Sequence, residues 1–365
     1  MTPLLRTPLK TLTGILAIGA LTGCSLIGSG SQDQTGSEAG AGSDQPVTIT
    51  VVSHDSFNMD EQVMADFTAE TGIKIEILAQ EDAGSLANQL VLTKGSPIGD
   101  VIFGIDNTFA SRVIDADVLD PFESDLIAAD RANYEITGEG SDKLVPIDFG
   151  DVCVNVDHEW FAAQDLAEPE TLEDLTNPEY KDLFVVQNPA NSSPGLAFLL
   201  ATIGEFGEDG WQDYWSQLKD NGVKVSNSWT DAYSVEFSGS SGAGPRPLVV
   251  SYASSPPYEV PEGADEAPTG TLLETCFRQV EYAGILTGTD HAEEAKAVIE
   301  FFLSAEFQAA IPGEMYVYPV RSDVDLPPEW EKFAAVATDP VQVSEESIEQ
   351  NREDWIKTWS EVVIG

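Results

Sequence analysis

The apolar positions of the chain change period repeatedly, between alternating or β-branched runs and helical spacing. Residues 47–53 (Val-Thr-Ile-Thr-Val-Val-Ser) predict a strand. Residues 59–71 place Val63, Met64 and Phe67 on one helical face, and Gly72 stops the helix. A second strand is predicted at 73–78 and a helix at 85–94, with Leu86, Leu90 and Val91 apolar. A strand at 100–105 and a helix at 108–116 follow. Strands alternating with helices in this way predict a mostly parallel sheet covered on both faces. The alternation resumes at 151–157, a strand, and continues with a short helix at 171–175. Then come a strand at 183–187, helices at 194–206 and 211–221, and strands at 223–225 and 248–252. Residues 278–286 read as a return segment, and 291–310 as one amphipathic helix with Ala295, Val298, Phe301 and Phe302 apolar. Residues 239–247 and 256–268 read as loops. No internal repeat is visible.

With 365 residues, the chain is long enough for two globular lobes of roughly 150 residues each. The expected fold class is α/β with two lobes joined by a hinge, each a mainly parallel sheet flanked by helices. Residues 47–147 and about 281–365 would form the first lobe and 148–280 the second. The C-terminal helices would pack partly on the second.

The N-terminus does not belong to that pattern. Residues 1–23 carry Arg6 and Lys10, no acid, and an apolar core of about 11 residues, which is signal-peptide length. The segment ends in Leu21-Thr22-Gly23-Cys24, which resembles a bacterial lipobox, with Cys24 as the lipidated residue. Residues 24–46 are rich in Gly, Ser, Gln, Asp and Ala and read as a flexible tether. An anchor, a tether and a body imply an exported protein held at the outer face of a membrane. Cys153 and Cys276 are left over. In an oxidising compartment they can pair, or they can be two separate buried thiols; spacing does not choose.

The charge narrows the partners. Asp and Glu number 63 against 17 Lys and Arg, a net charge of −46. Such a body repels nucleic-acid phosphates, so nucleic acid is not an expected partner. Asp55, Asp82, Asp106 and Asp148 each fall at or just after the end of a predicted strand. The carboxyl ends of parallel strands are where open sheets bind ligands. Asp is also common in turns and helix caps, so the pattern has a structural reading as well. Aromatic residues supply the second component. Trp229 and Tyr233 share a face if 229–233 is helical; Tyr252 ends a strand; Tyr258, Tyr316 and Tyr318 lie in loop-like stretches. Aromatic faces attract cations, so carboxylates and rings together point to a flat cationic organic ligand. Trp211, Trp215, Trp355 and most Phe are assigned to packing. Asn191-Ser192-Ser193-Pro194-Gly195 opens a helix, a good cap and also an anion site.

Taken in order, these segments resemble the thiamine-binding proteins of bacterial ABC importers, within the two-lobed, class II periplasmic-binding-protein-like family. The matching pieces are Asp55-Ser56-Phe57, Glu81-Asp82-Ala83-Gly84-Ser85-Leu86, Gly104-Ile105-Asp106-Asn107 and Pro146-Ile147-Asp148-Phe149-Gly150. They continue with Ser192-Ser193-Pro194-Gly195-Leu196, Ser228-Trp229-Thr230-Asp231-Ala232-Tyr233, Ser251-Tyr252-Ala253-Ser254-Ser255-Pro256-Pro257-Tyr258, and Ile311-Pro312 with Tyr318-Pro319-Val320. The resemblance implies a capture protein without chemistry and without a cofactor, which delivers thiamine or its phosphates to a membrane permease as a monomer. It implies that Trp229 and Tyr258 sandwich the thiazolium ring. Tyr252, Tyr316, Asp82 and the segment around Asp55 would hold the aminopyrimidine, and Ser192 would face the hydroxyethyl or phosphate end. Ala83, Ser193, Asp106, Asn107 and Tyr233 complete the expected ligand-binding set. His54 stands where relatives tend to have an aromatic residue, Tyr316 where a Trp is common, and Asp151 where Tyr is frequent; an inward-facing Asp151 would favour the unphosphorylated cation.

Three other functions fit the residues less well. An iron(III) protein of the same fold wants adjacent tyrosines, and no Tyr-Tyr pair exists here. A thiamine-degrading enzyme wants an activated Cys beside a carboxylate, and neither Cys153 nor Cys276 sits in a recognisable motif. An adhesive surface protein would have no deep cleft. His54, His158 and His291 are dispersed, which argues against a His-rich metal site.

Overall fold

In the computed structural model the described residues are 46–124, 133–138 and 140–365. The expected signal peptide, Cys24 and the tether lie outside them. Among the described residues no helix is long and apolar enough to cross a membrane.

The chain opens with β1 (Val47–Ser53), α1 (Glu61–Thr71), β2 (Ile73–Ala79), α2 (Ala83–Leu92), β3 (Val101–Asp106), α3 (Ala110–Asp115) and the short β4 (Leu119–Asp120). Strand β1 pairs in parallel with β2 and β3, as the alternation predicts. Helix α1 begins where the Asp60 carboxylate accepts the Gln62 and Val63 amides.

Next come β5 (Val145–Asp157), α4 (His158–Gln164), β6 (Phe184–Gln187), α5 (Ser193–Phe206), α6 (Trp211–Asp220) and β7 (Lys224–Ser226). A single turn, α7 (Trp229–Asp231), continues into a wider turn at Ala232–Glu236 and then β8 (Leu248–Tyr252). Strand β6 pairs in parallel with β7 and β8, so this end of the sheet repeats the logic of the first. The short helix expected at 171–175 is replaced by two tight turns, Asp174–Thr176 and Pro178–Tyr180. Pro178 lacks the amide that a continued helix would need.

Two long strands join the parallel ends. Strand β9 (Thr269–Leu286) has 18 residues; β5 has 13, and every residue of β5 is buried. They pair antiparallel to one another, and the sheet runs β2-β1-β3-β9-β5-β8-β6-β7. The expected strands at 151–157 and 278–286 are only parts of these. Asp148, expected at a strand end, is consequently inside β5. Midway, β5 advances from Val152 to Val154 while β9 moves from Phe277 to Leu272, a bulge. There the disulfide Cys153–Cys276 ties the two strands, with Cα atoms 4.2 Å apart.

The chain ends with α8 (Ala292–Phe302), α9 (Ala305–Met315), β10 (Tyr318–Pro319), α10 (Pro328–Phe333) and α11 (Glu345–Trp359). The single helix expected at 291–310 is therefore two. Ser304 caps the Phe307 amide and starts α9 afresh. Strand β10 adds to β5, pairing Tyr318 with Phe149. Helix α11 reaches widely: Arg352 donates to the Thr108 carbonyl and the Ser111 hydroxyl, while Trp359 packs edge-on against Trp215.

Candidate functional site

A carboxylate organises the site. Asp82 caps α2, and its Oδ1 accepts the Ala83 amide at 2.7 Å and the Ser193 amide at 3.3 Å. Its Oδ2 accepts the Trp229 amide at 3.2 Å. One acid thus receives N–H groups from the starts of α2, α5 and α7, where helix dipoles favour negative charge. Beside it, the Gly84 and Ser85 amides donate to the Asn191 carbonyl at 2.9 and 3.2 Å. A Cβ at Gly84 would lie 2.7 Å from the Ala190 and Asn191 backbone, so only glycine permits this approach. Burial pushes the Asp82 carboxyl above its ordinary range, against the hydrogen bonds from the Ala83 and Trp229 amides.

Asp82, Ser193 and Trp229 line a small cavity of about 30 Å³ together with His54, Tyr252 and Glu281. Its aromatic wall is braced from behind. The Trp229 ring stacks on Tyr233 at 5.0 Å and 13°, and its Nε1 donates to Ser251 at 2.9 Å. Tyr233 is buried and donates to Glu259, so it supports Trp229 instead of lining the cavity. Tyr316, in the left-handed conformation that ends α9, meets Trp229 edge-on at 6.0 Å and also lies against Tyr258. The expected Trp229–Tyr258 pair is therefore bridged by a third ring. Tyr258 itself is fixed by donating to the Pro312 carbonyl.

The floor is a hydrogen-bonded network centred on two β9 side chains, Gln279 and Glu281, that sequence reasoning did not select. The Tyr252 hydroxyl donates to Gln279 Oε1, and Gln279 Nε2 donates to Glu281 Oε1 at 3.0 Å. His54 Nε2 meets Glu281 Oε2 at 3.2 Å. Gln279 and Glu281 stand two apart in a buried, otherwise apolar run. That period-two polar pair was the available signal.

The remaining expected residues lie around this centre. Asp55 is exposed, in the turn after β1, and accepts from Ser56. Ala83 is buried in the first turn of α2. Ser192 precedes α5 and Ser193 begins it; the Ser193 hydroxyl is buried without a hydrogen-bond partner among the described residues. Asp106 is turned into its own loop, accepting from the Thr108 amide and hydroxyl and the Phe109 amide. Asn107 links to the backbone of Arg278 and Val280. Asp106 and Asp148 both pair in register with Glu281, so three carboxylates stand abreast across β3, β9 and β5. Burial raises Asp106 to about 7 and Asp148 well above its ordinary range. Asp151 does not add a free charge: Arg278 binds it through two contacts at 2.8 and 2.9 Å, and the Ala337 amide adds a third. A larger cavity of about 780 Å³, bordered by Ser111 and Glu349, has no aromatic wall.

Residues 96–341 match the model of the bacterial extracellular solute-binding protein family. The chain belongs to that family. The thiamine-binding periplasmic protein of Escherichia coli is 29% identical over 320 residues, covering 86% of this chain and 93% of the relative. The Brucella suis protein of the same name is 26% identical over 325 residues, covering 86% and 91%. A solved periplasmic thiamin binding protein superposes with a TM-score of 0.75 at 26% identity, covering 88% of this chain and 98% of that one. Iron-bound HitA from Pseudomonas aeruginosa, at 20% identity and a TM-score of 0.67, shares the fold. The family member described here is thus a mixed α/β protein of the class II periplasmic-binding type, with a central sheet flanked by helices.

Proposed function

We propose that the protein captures thiamine or its phosphates outside the cytoplasmic membrane and hands the ligand to an ABC permease, without chemical change. The observation that carries this reading is the cavity's composition: the braced Trp229 ring beside the Asp82 and Glu281 carboxylates. A thiazolium cation suits such a wall, and each ring face contributes about 0.5–2 kcal/mol. Tyr252, Tyr316 and Asp82 hold the aminopyrimidine in this reading, and Ser192 and Ser193 meet the hydroxyethyl or phosphate end. The thiamine-binding names of the relatives support the same choice.

Two lobes, 47–147 with 281–365 and 148–280, close on the ligand about β5 and β9. Asp82 then reaches from the first lobe to Ser193 and Trp229 in the second. Cys24 carries the lipid that holds the monomer at the membrane.

Isothermal titration with thiamine tests the reading. Saturable heat with one site per chain is expected, and Trp229→Ala lowers affinity at least tenfold, since about 1.4 kcal/mol corresponds to a factor of ten. Heats equal to buffer dilution would remove the proposal. Free thiazole alcohol after incubation would replace capture with cleavage.

A further inference from the structure

Among the described residues His54 is the one basic side chain lining the cavity, and it is held where it is by the backbone opposite. It is buried, and its ring lies across Gly104, whose φ is +88°. A Cβ at Gly104 would collide with the imidazole. Its Nε2 faces Glu281 Oε2 at 3.2 Å. That contact exists in two charge states. Imidazolium and carboxylate form an ion pair; a neutral ring protonated on Nε2 donates the same hydrogen bond and leaves the carboxylate charge uncancelled.

We propose that His54 sets how tightly the cavity holds a cationic ring: protonated, it neutralises Glu281 and places positive charge beside the ligand; neutral, it yields the Glu281 charge to the ligand. This rests on the reading of the ligand as a thiazolium. Glu281 from β9, Asp82 from the start of α2 and the adjacent Asp55 act on His54, and all three favour its protonated form. They outweigh burial, so His54 titrates above its ordinary 6.5. Asp106 and Asp148 flank Glu281 on β3 and β5; burial raises both, and Asp106, at about 7, titrates in the same range as His54, so the His54 variant is what separates the two. A bound cation opposes protonation of His54, so affinity rises as pH passes through the range where His54 loses its proton. Reciprocity fixes the size: a tenfold gain in affinity equals a one-unit fall in the His54 pKa on binding.

The test is titration with thiamine across pH 5.5–8.5, using wild type, His54→Gln and His54→Phe, together with NMR of the imidazole protons. The chain has only three histidines, so His54 is resolvable from His158 and His291 without any substitution. Wild-type affinity should rise roughly tenfold with pH, the binding heat should depend on buffer through proton release, and the His54 resonance alone should move its titration down. His54→Gln should flatten the profile. A flat wild-type profile, or a slope that survives in His54→Gln, overturns the inference while leaving capture intact. Absence of binding at every pH overturns the functional reading, and this inference with it.

Discussion

Asp106 shows how a single buried acid couples binding architecture to stability. Its Oδ1 collects three donors, yet burial still lifts it from 3.8 to about 7. Because the folded pKa is the higher one, the folded state holds more protons than the unfolded state between those values. Stability therefore falls as pH rises from 4 to 7, by on the order of 4 kcal/mol from this residue. Asp106→Asn keeps the Oδ1 acceptor and removes the titration. Urea unfolding of both proteins at pH 4.5 and 7.5 should show a smaller loss in the variant; equal losses would mean Asp106 stays ionised. At this scale the sequence was informative for side chains whose chemistry is local. Asp82 and Trp229 follow from their motifs, and the structure brings both to the cavity. Asp106 has the same strand-end signature but serves its own loop, because a cap and a ligand contact look alike in one dimension. Glu281 and Gln279 were missed because their partners, His54 and Tyr252, lie far away in the chain, and distance in sequence hides a buried network.

The elements that matter most are β5 and β9, whose pairing spans the sheet between its two parallel ends. Their lengths were not legible: periodicity marks where apolar residues alternate, but not that two runs continue past a bulge as one strand. The parallel β1–β2–β3 end was legible because each strand there is bounded by a helix with its own cap. Helix 291–310 misled for a similar reason, since apolar spacing continues through Ser304 while the backbone restarts. The disulfide sits at the bulge between β5 and β9 and closes a separation of 123 residues. Restricting so long a loop in the unfolded chain stabilises the fold by about 2–4 kcal/mol. Replacing both Cys153 and Cys276 with Ala should lower the free energy of unfolding by that amount. Reducing agent should act on wild type only after unfolding, because both sulfurs are buried. An unchanged midpoint in the double variant would show that strand pairing alone sets the stability of this region.

At the scale of the whole molecule, the cavity sets a condition on function. Its volume is about 30 Å³, whereas small-molecule sites occupy roughly 300–1,000 Å³. In the two-lobed closure proposed above, a two-ring ligand enters when the walls move apart, breaking the contacts that join α2 to the 190–193 segment and to Trp229. Gly84 is the point of closest approach, with no room for a Cβ against the backbone of Ala190 and Asn191. A side chain there should hold the walls apart without touching the hydrophobic core on either side. Gly84→Val is therefore expected to unfold near the wild-type midpoint yet bind thiamine at least tenfold more weakly, a loss of about 1.4 kcal/mol. Small-angle scattering should show wild type contracting on addition of thiamine and the variant contracting less. If Gly84→Val binds and contracts as wild type does, the α2 contact is not part of the proposed closure. Weaker binding with an undiminished contraction would instead place the effect of Gly84 in the ligand contacts themselves, through a displaced Asp82.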